Sequence, residues 1–198
     1  MISTKNDEEI RLMEYAGKVC YELLEAMEGF IKAGVTTKEI NDYADKFIRD
    51  KDCIPSELGY EGYPASICTS INEEVVHGIP GNRSLKNGDI ISLDVVACYK
   101  GYHADTARTY KVGEVSKEVE NLMLHTKEAL YKGLSVIKEG VKLNVVCETI
   151  ESVANTYGYG IIRELTGHGI GKSMHEDPYI PNYSNEEAKN ITLECGMT

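Results

Sequence analysis

The chain has 198 residues and a formal charge of -11, from 32 acidic and 21 basic residues. That balance argues against a nucleic-acid or anionic-membrane binder, which needs a basic face. The hydrophobic fraction of 42% suffices for a sizeable core, carried by Ile, Leu, Val, Met and 13 Tyr in the absence of Trp, and the length suits one ordinary domain or two closely packed halves.

The N-terminus, MISTKNDEEI, has no apolar run of the kind a signal peptide needs. No stretch approaches the ~18 apolar residues of a membrane span. Cys20, Cys53, Cys68, Cys98, Cys147 and Cys195 form no CxxC pair. They read as reduced, mostly structural cysteines of a cytoplasmic protein.

Helical spacing of Ile10, Met13, Leu23, Leu24 and Met27 predicts a helix from about Lys5 to Ile31, ended by Gly34. Thr36 and Glu39 form a capping-box pair that starts a second helix, with Ile40, Tyr43, Ala44, Phe47 and Ile48 as its apolar stripe. Cys53 to Asn82 reads as short strands and loops. Two strands follow, Asp89 to Tyr99 and Tyr102 to Val112. Helices are predicted from about Lys117 to Ile137 and from Asn144 to Tyr157, then strands and glycine-rich loops after Tyr159.

This order repeats. Lys32-Ala-Gly-Val35 and Lys138-Glu-Gly-Val141 are 106 residues apart, and the same offset lays Ile40 on Val146 and Ala44 on Ile150. Each half then reads helix, helix, strands, which points to an internal duplication. The expectation is a single domain over 1–198, with half one at about 1–112 and half two at about 113–198, as a duplicated α+β unit.

The chemistry concentrates on the two central strands. If Lys100-Gly101 is a two-residue turn, Asp94 faces Ala107 and Asp105 faces Val96. Both aspartates then share one face as diagonal neighbours, roughly 7–8 Å apart at the backbone. Asp94 interrupts an apolar strand, where a carboxylate is costly unless paired or metal-bound. Either aspartate alone reads better as a satisfied structural residue. As a pair they point to a divalent metal of the Mn, Fe, Co or Zn kind.

Five histidines are present. His125 lies mid-helix among Lys and Glu and is expected to be solvated, and His103 beside the turn is expected on the rim. His77 enters a turn in Val75-Val-His-Gly-Ile-Pro80, His168 is flanked by glycines in Gly167-His-Gly-Ile-Gly171, and His175 follows in Met174-His-Glu-Asp-Pro178. Each alone is an ordinary loop or strand histidine. Together with the aspartates they suggest a metal-assisted catalytic site. The glycine spacing lacks the longer pattern and the Lys-Ser/Thr of a phosphate loop.

Gly59-Tyr-Glu-Gly-Tyr-Pro-Ala-Ser-Ile-Cys68, Ser70-Ile-Asn-Glu-Glu-Val-Val-His-Gly-Ile-Pro80, the Asp94/Asp105 hairpin, Gly167 to Gly171 and His175-Glu176 together resemble the type I methionine aminopeptidases, over essentially the whole chain. The resemblance implies the pita-bread fold, with duplicated halves, a central antiparallel sheet and outer helices. It implies two divalent metal ions, with Asp94 and Asp105 as ligands, Asp105 bridging, and His168 binding one ion. His77 and His175 would hold the substrate and assist catalysis, and Tyr60, Tyr63 and Cys68 would line the methionine pocket. A packed turn with bonded tyrosines is the plainer account of the latter segment. Glu57 lies where the family usually has a less polar residue and is left out of the pocket.

The implied activity is removal of methionine from nascent polypeptides with a small second residue, by a monomer, with the ribosome a candidate partner. The family's two remaining ligands are glutamates of the second half, and this sequence reaches Thr198 before them. The expectation is therefore of a chain truncated at its C-terminus. Two rival readings stay open: an inactive homologue that binds N-termini or a protein partner, and another enzyme of the same fold that cleaves dipeptides or Xaa-Pro bonds.

Overall fold

A computed structural model describes residues 2–198. The chain divides into two compact units. One comprises Glu8–Ser116 and Gly171–Met174; the other comprises Met1–Asp7, Lys117–Ile170 and His175–Thr198.

The first unit opens with helices α1 (Asp7–Phe30) and α2 (Thr37–Asp50). The capping box expected at Thr36 is formed: Glu39 N–H donates to Thr36 Oγ1 at 3.2 Å, and Thr36 N–H donates to Glu39 Oε2 at 2.8 Å. Strands β1 (Ile54–Pro55), β2 (Cys68–Ile71), β3 (Ile90–Tyr99) and β4 (Tyr102–Lys111) make one antiparallel sheet. β3 is its centre, paired along its length with β4; Cys68–Ile71 of β2 and then β1 share its other edge.

The alternation of β3 decides what each face does. Ile91, Leu93, Val95 and Ala97 enter a core with Val19, Leu23, Leu24 and Met27 of α1 and Ile40, Ala44 and Ile48 of α2. Each such fully buried aliphatic side chain contributes about 1.5–3 kcal/mol. Ser92, Asp94 and Val96 therefore occupy the opposite face, because successive side chains of a strand alternate. The helices anchor the sheet at polar points too: Tyr110 Oη donates to the Leu24 carbonyl at 2.6 Å, and Arg108 pairs with Glu25 at 2.6 Å.

The second unit contains α3 (Lys117–Ser135), α4 (Leu143–Tyr157), a hairpin of β5 (Gly167–Gly169) and β6 (Glu176–Ile180), and α5 (Glu186–Asn190). Leu143, Cys147 and Ala188 form a small buried cluster, with Ile180, Ile191 and Leu193 packed on it. α5 falls where strands and loops are expected. It is five residues long and depends on Asn185, whose side chain accepts from Glu187 and Ala188 N–H groups. His125, expected in solvent, instead stacks on Tyr157 with ring centroids 3.5 Å apart and meets Tyr159 Oη at 3.1 Å. Tyr157 ends the next helix and Tyr159 lies two residues beyond it, so no local pattern marks the contact.

The duplication is visible in the backbone. Gly34 N–H donates to Leu85 O and Gly140 N–H to Leu193 O, each at 2.8 Å. Leu85 N–H donates back to Val35 O and Leu193 N–H to Val141 O, again at 2.8 Å. Isolated bridges Thr36↔Ser84 and Lys142↔Thr192 complete the correspondence.

Candidate metal centre

The hairpin register is the one its turn residues predict. Lys100 (φ 49°) and Gly101 (φ 85°) form the turn, Asp94 pairs with Ala107 and Asp105 with Val96, with no bulge between them. Asp94 and Asp105 thus share the face turned away from the helices. β2 adds Cys68 to that face, directly opposite Asp94. Asp94 is half-buried and Asp105 exposed.

Glu57, which the sequence motif leaves out of the pocket, belongs here. The Ser56 N–H donates to Val96 O at 2.9 Å, which carries the chain after β1 along the β3 edge. Glu57 is 6% exposed and Cys68 4%. The Cys68 thiol donates to Glu57 Oε2 at 3.2 Å. One ligand atom each of Glu57, Cys68 and Asp94 lie within 4.8 Å of one another. Asp94 Oδ1 is buried and no hydrogen-bond donor among the described residues reaches that atom, although other interactions hold the residue.

Charge and burial act together on this cluster. Burial, then the negative charge of Asp94, pushes the Glu57 carboxyl up to about 9. Burial, then Glu57, raises the Cys68 thiol, and burial, then its contact with Cys68, raises the Tyr63 hydroxyl. Without a cation Glu57, Cys68 and Tyr63 therefore keep their protons at neutral pH. The folded chain keeps a proton on Glu57 that the unfolded chain releases from about pH 4.5 upward. The associated stability is complete below that value and is lost as pH rises towards 9. The groups facing Glu57 are Cys68, Asp94, Tyr63 and Asp105. In chelator-treated protein the denaturation midpoint is expected to fall across this window, and Glu57→Gln to flatten the fall. Equal slopes in both proteins would refute this account.

His77 and Tyr63 meet through Gly78. His77 is exposed and sits at φ 59°. The Gly78 carbonyl accepts from Thr69 N–H at 2.7 Å and from Tyr63 Oη at 2.9 Å, and Gly78 N–H donates to Ser70 Oγ at 3.1 Å. Tyr60 is 38% exposed on the single 3-10 turn Tyr60–Gly62.

His168 and His175 belong to the second unit, their ring centroids 4.2 Å apart. His168 Nδ1 lies 2.9 Å from the Gly169 carbonyl. With the proton on Nδ1 donated there, Nε2 is the nitrogen that offers a lone pair. The β5–β6 register shifts between His168 and Gly169. A Cβ on Gly169 would come within 2.3 Å of the Asp177 carbonyl oxygen, so only glycine fits beside this histidine. Glu176 is held by Lys5 at 2.9 Å and Ser3 at 2.7 Å.

Thus the structure brings Tyr63, Cys68, Asp94 and Asp105 to one sheet region, and His168 and His175 together in the other unit. Carboxylates and imidazoles are donor types that suit divalent metal, and comparison with known proteins gives the class. The chain matches the model of metallopeptidase family M24 over residues 11–198 and belongs to that family.

Within it, the similarity is to methionine aminopeptidases. The chain is 49% identical to the methionine aminopeptidase of Clostridium acetobutylicum over 184 residues, covering 92% of this chain and 74% of that protein. It is 44% identical to methionine aminopeptidase 1 of Bacillus subtilis, covering 100% of this chain and 79% of that one. The crystal structure of methionine aminopeptidase from Rickettsia prowazekii superposes with a TM-score of 0.95 at 40% identity, over 100% of this chain and 79% of that one. The pita-bread fold expected from the sequence is the fold of these neighbours.

Membership in this family implies bound divalent metal. The donor chemistry fits: hard carboxylate oxygens predominate, one of them the buried Asp94 Oδ1. Among the described residues, no helix is long and apolar enough to cross a membrane.

Proposed function

We propose that this chain removes the N-terminal methionine from nascent proteins and peptides whose second residue is small. The supporting observation is the sheet face that gathers Cys68, Asp94 and Asp105, in a chain 49% identical to a methionine aminopeptidase. Asp94 and Asp105 on the hairpin, and His168 on β5, are the proposed ligands of two divalent ions, of Co, Mn, Fe or Zn. When bound, such ions lower the pKa of a coordinated water and polarise a carbonyl oxygen.

The remaining roles fall to the protein's own side chains. His77 and His175, both exposed, bind the peptide backbone at the scissile residue and donate to its carbonyl oxygen. Tyr60, Tyr63 and Cys68 receive the methionine side chain, and Tyr63 is fixed for this by its bond to Gly78. His168 Nδ1 lies against the Gly169 carbonyl, which would leave Nε2 as the nitrogen that binds an ion. The proposed setting is the cytoplasm, acting on emerging N-termini as a monomer, with the ribosome as a candidate partner.

The test is methionine release from a Met-Ala peptide by the 198-residue chain, with Mn, Co or Fe added. Release that a chelator stops is expected. Peptide binding without release would replace the proposal with an inactive binding module, and release only from Xaa-Pro peptides with a different exopeptidase.

A further inference from the structure

Glu57 and Cys68 have no place in the ligand set above, yet both stand beside one of its members, Asp94. Cys68 is the direct cross-strand partner of Asp94. Glu57 reaches the same spot from the segment after β1. The three donors come from three separate stretches of chain, Cys68 and Asp94 from paired strands and Glu57 from the turn after β1. Two are almost fully removed from solvent, at 6% and 4% exposure.

We propose that Glu57 and Cys68 are metal ligands in this chain, completing with Asp94 a thiolate–dicarboxylate site for a thiophilic divalent ion such as Zn2+ or Co2+; with that ion bound, Cys68 is a ligand and no longer a wall of the methionine pocket. The inference rests on the reading of Asp94 as a metal ligand. Three arguments carry it. First, the donor atoms lie within 4.8 Å of one another, and bonds of ~2.0–2.3 Å from sulfur and carboxylate oxygen to one ion need only small side-chain rotations from there. Second, two carboxylates this close and this buried repel unless a proton or a cation stands between them, and a divalent ion satisfies both at once. Third, one sulfur with two oxygens is a borderline donor set, which favours Zn2+ and Co2+ over Mg2+ or Mn2+. On binding, the Cys68 thiol and the Glu57 carboxyl give their protons to solvent, and no other reactant is needed.

The probe is Cd2+ or Co2+ alone, titrated into the metal-free 198-residue chain. An ultraviolet thiolate-to-metal charge-transfer band is expected to grow and saturate. Cys68→Ser abolishes it, while Cys195→Ser, at an exposed thiol, leaves it intact. Glu57→Gln keeps the band but weakens Cd2+ affinity about 10-fold or more. Mn2+ affinity changes less than Cd2+ affinity in Cys68→Ser. Binding without any Cys68-dependent band overturns this inference and leaves the assignment of Asp94, Asp105 and His168 standing. A Cys68-dependent band that survives both Asp105→Ala and His168→Ala unchanged upholds this site and shows that neither of those residues holds the ion bound there. Failure of Cd2+ and Co2+ to bind at all overturns both.

Discussion

An Asp105→Ala variant is expected to lose bound metal and methionine release together, the latter by about 10³-fold or more, since metal-assisted polarisation is worth several kcal/mol. The prediction is clean because Asp105 is exposed on β4. Replacing an exposed side chain usually costs far less stability than emptying a core position. An unfolded variant is therefore not the expected cause of the loss. His77→Ala supplies the contrast. It should keep its metal and lose roughly 10²-fold in turnover, as expected when a side chain that donates to the reacting carbonyl is removed. Metal content by elemental analysis, read beside methionine release, separates the two. Full metal occupancy in Asp105→Ala would remove that residue from the ligand set. Metal loss in His77→Ala would move His77 into it.

The same hairpin shows why part of this site is legible in the sequence. The turn Lys100-Gly101 and the alternation of β3 are local features, and together they fix the faces of Asp94 and Asp105. The capping box at Thr36 and Glu39 is equally local. The repeat at Gly34 and Gly140 is readable because both positions make the same backbone bonds, to Leu85 and Leu193. Glu57 behaves differently. Its place depends on β1 pairing with the far end of β3, Ile54 opposite Cys98. Nothing in the neighbouring sequence encodes that pairing, so the sequence leaves Glu57 out of the pocket. The His125 stack on Tyr157 is hidden for the same reason. Face and register are written in short-range pattern; cross-strand company from distant segments is not.

That limit is sharpest at Gly78, where the motif shows a glycine after His77 but not why it must be one. A Cβ there would stand 2.2 Å from the Thr69 carbonyl oxygen, 2.8 Å from the Thr69 carbonyl carbon and 2.9 Å from Ser70 Cα. All three are backbone atoms of β2, which is itself pinned to β3. Neither side can yield without breaking the bonds that join them, Thr69 N–H to Gly78 O at 2.7 Å and Tyr63 Oη to Gly78 O at 2.9 Å. Gly78→Ala is therefore expected to destabilise the chain by about 2–4 kcal/mol, from overpacking and the loss of these hydrogen bonds. For a chain of this size that corresponds to a melting point lower by roughly 5–15 °C. Tyr63 and His77 lose their shared anchor in the same step, so methionine release should fall even well below the melting point. Gly81→Ala is the control, because nothing lies within 4 Å of its Cβ position, and it should stay within about 0.5 kcal/mol of the parent. Thermal melts and methionine release of the two variants side by side decide the matter. If Gly78→Ala is as stable and active as Gly81→Ala, the β2 contact does not hold the His77 turn, and Gly78 must owe its place to something other than this close approach.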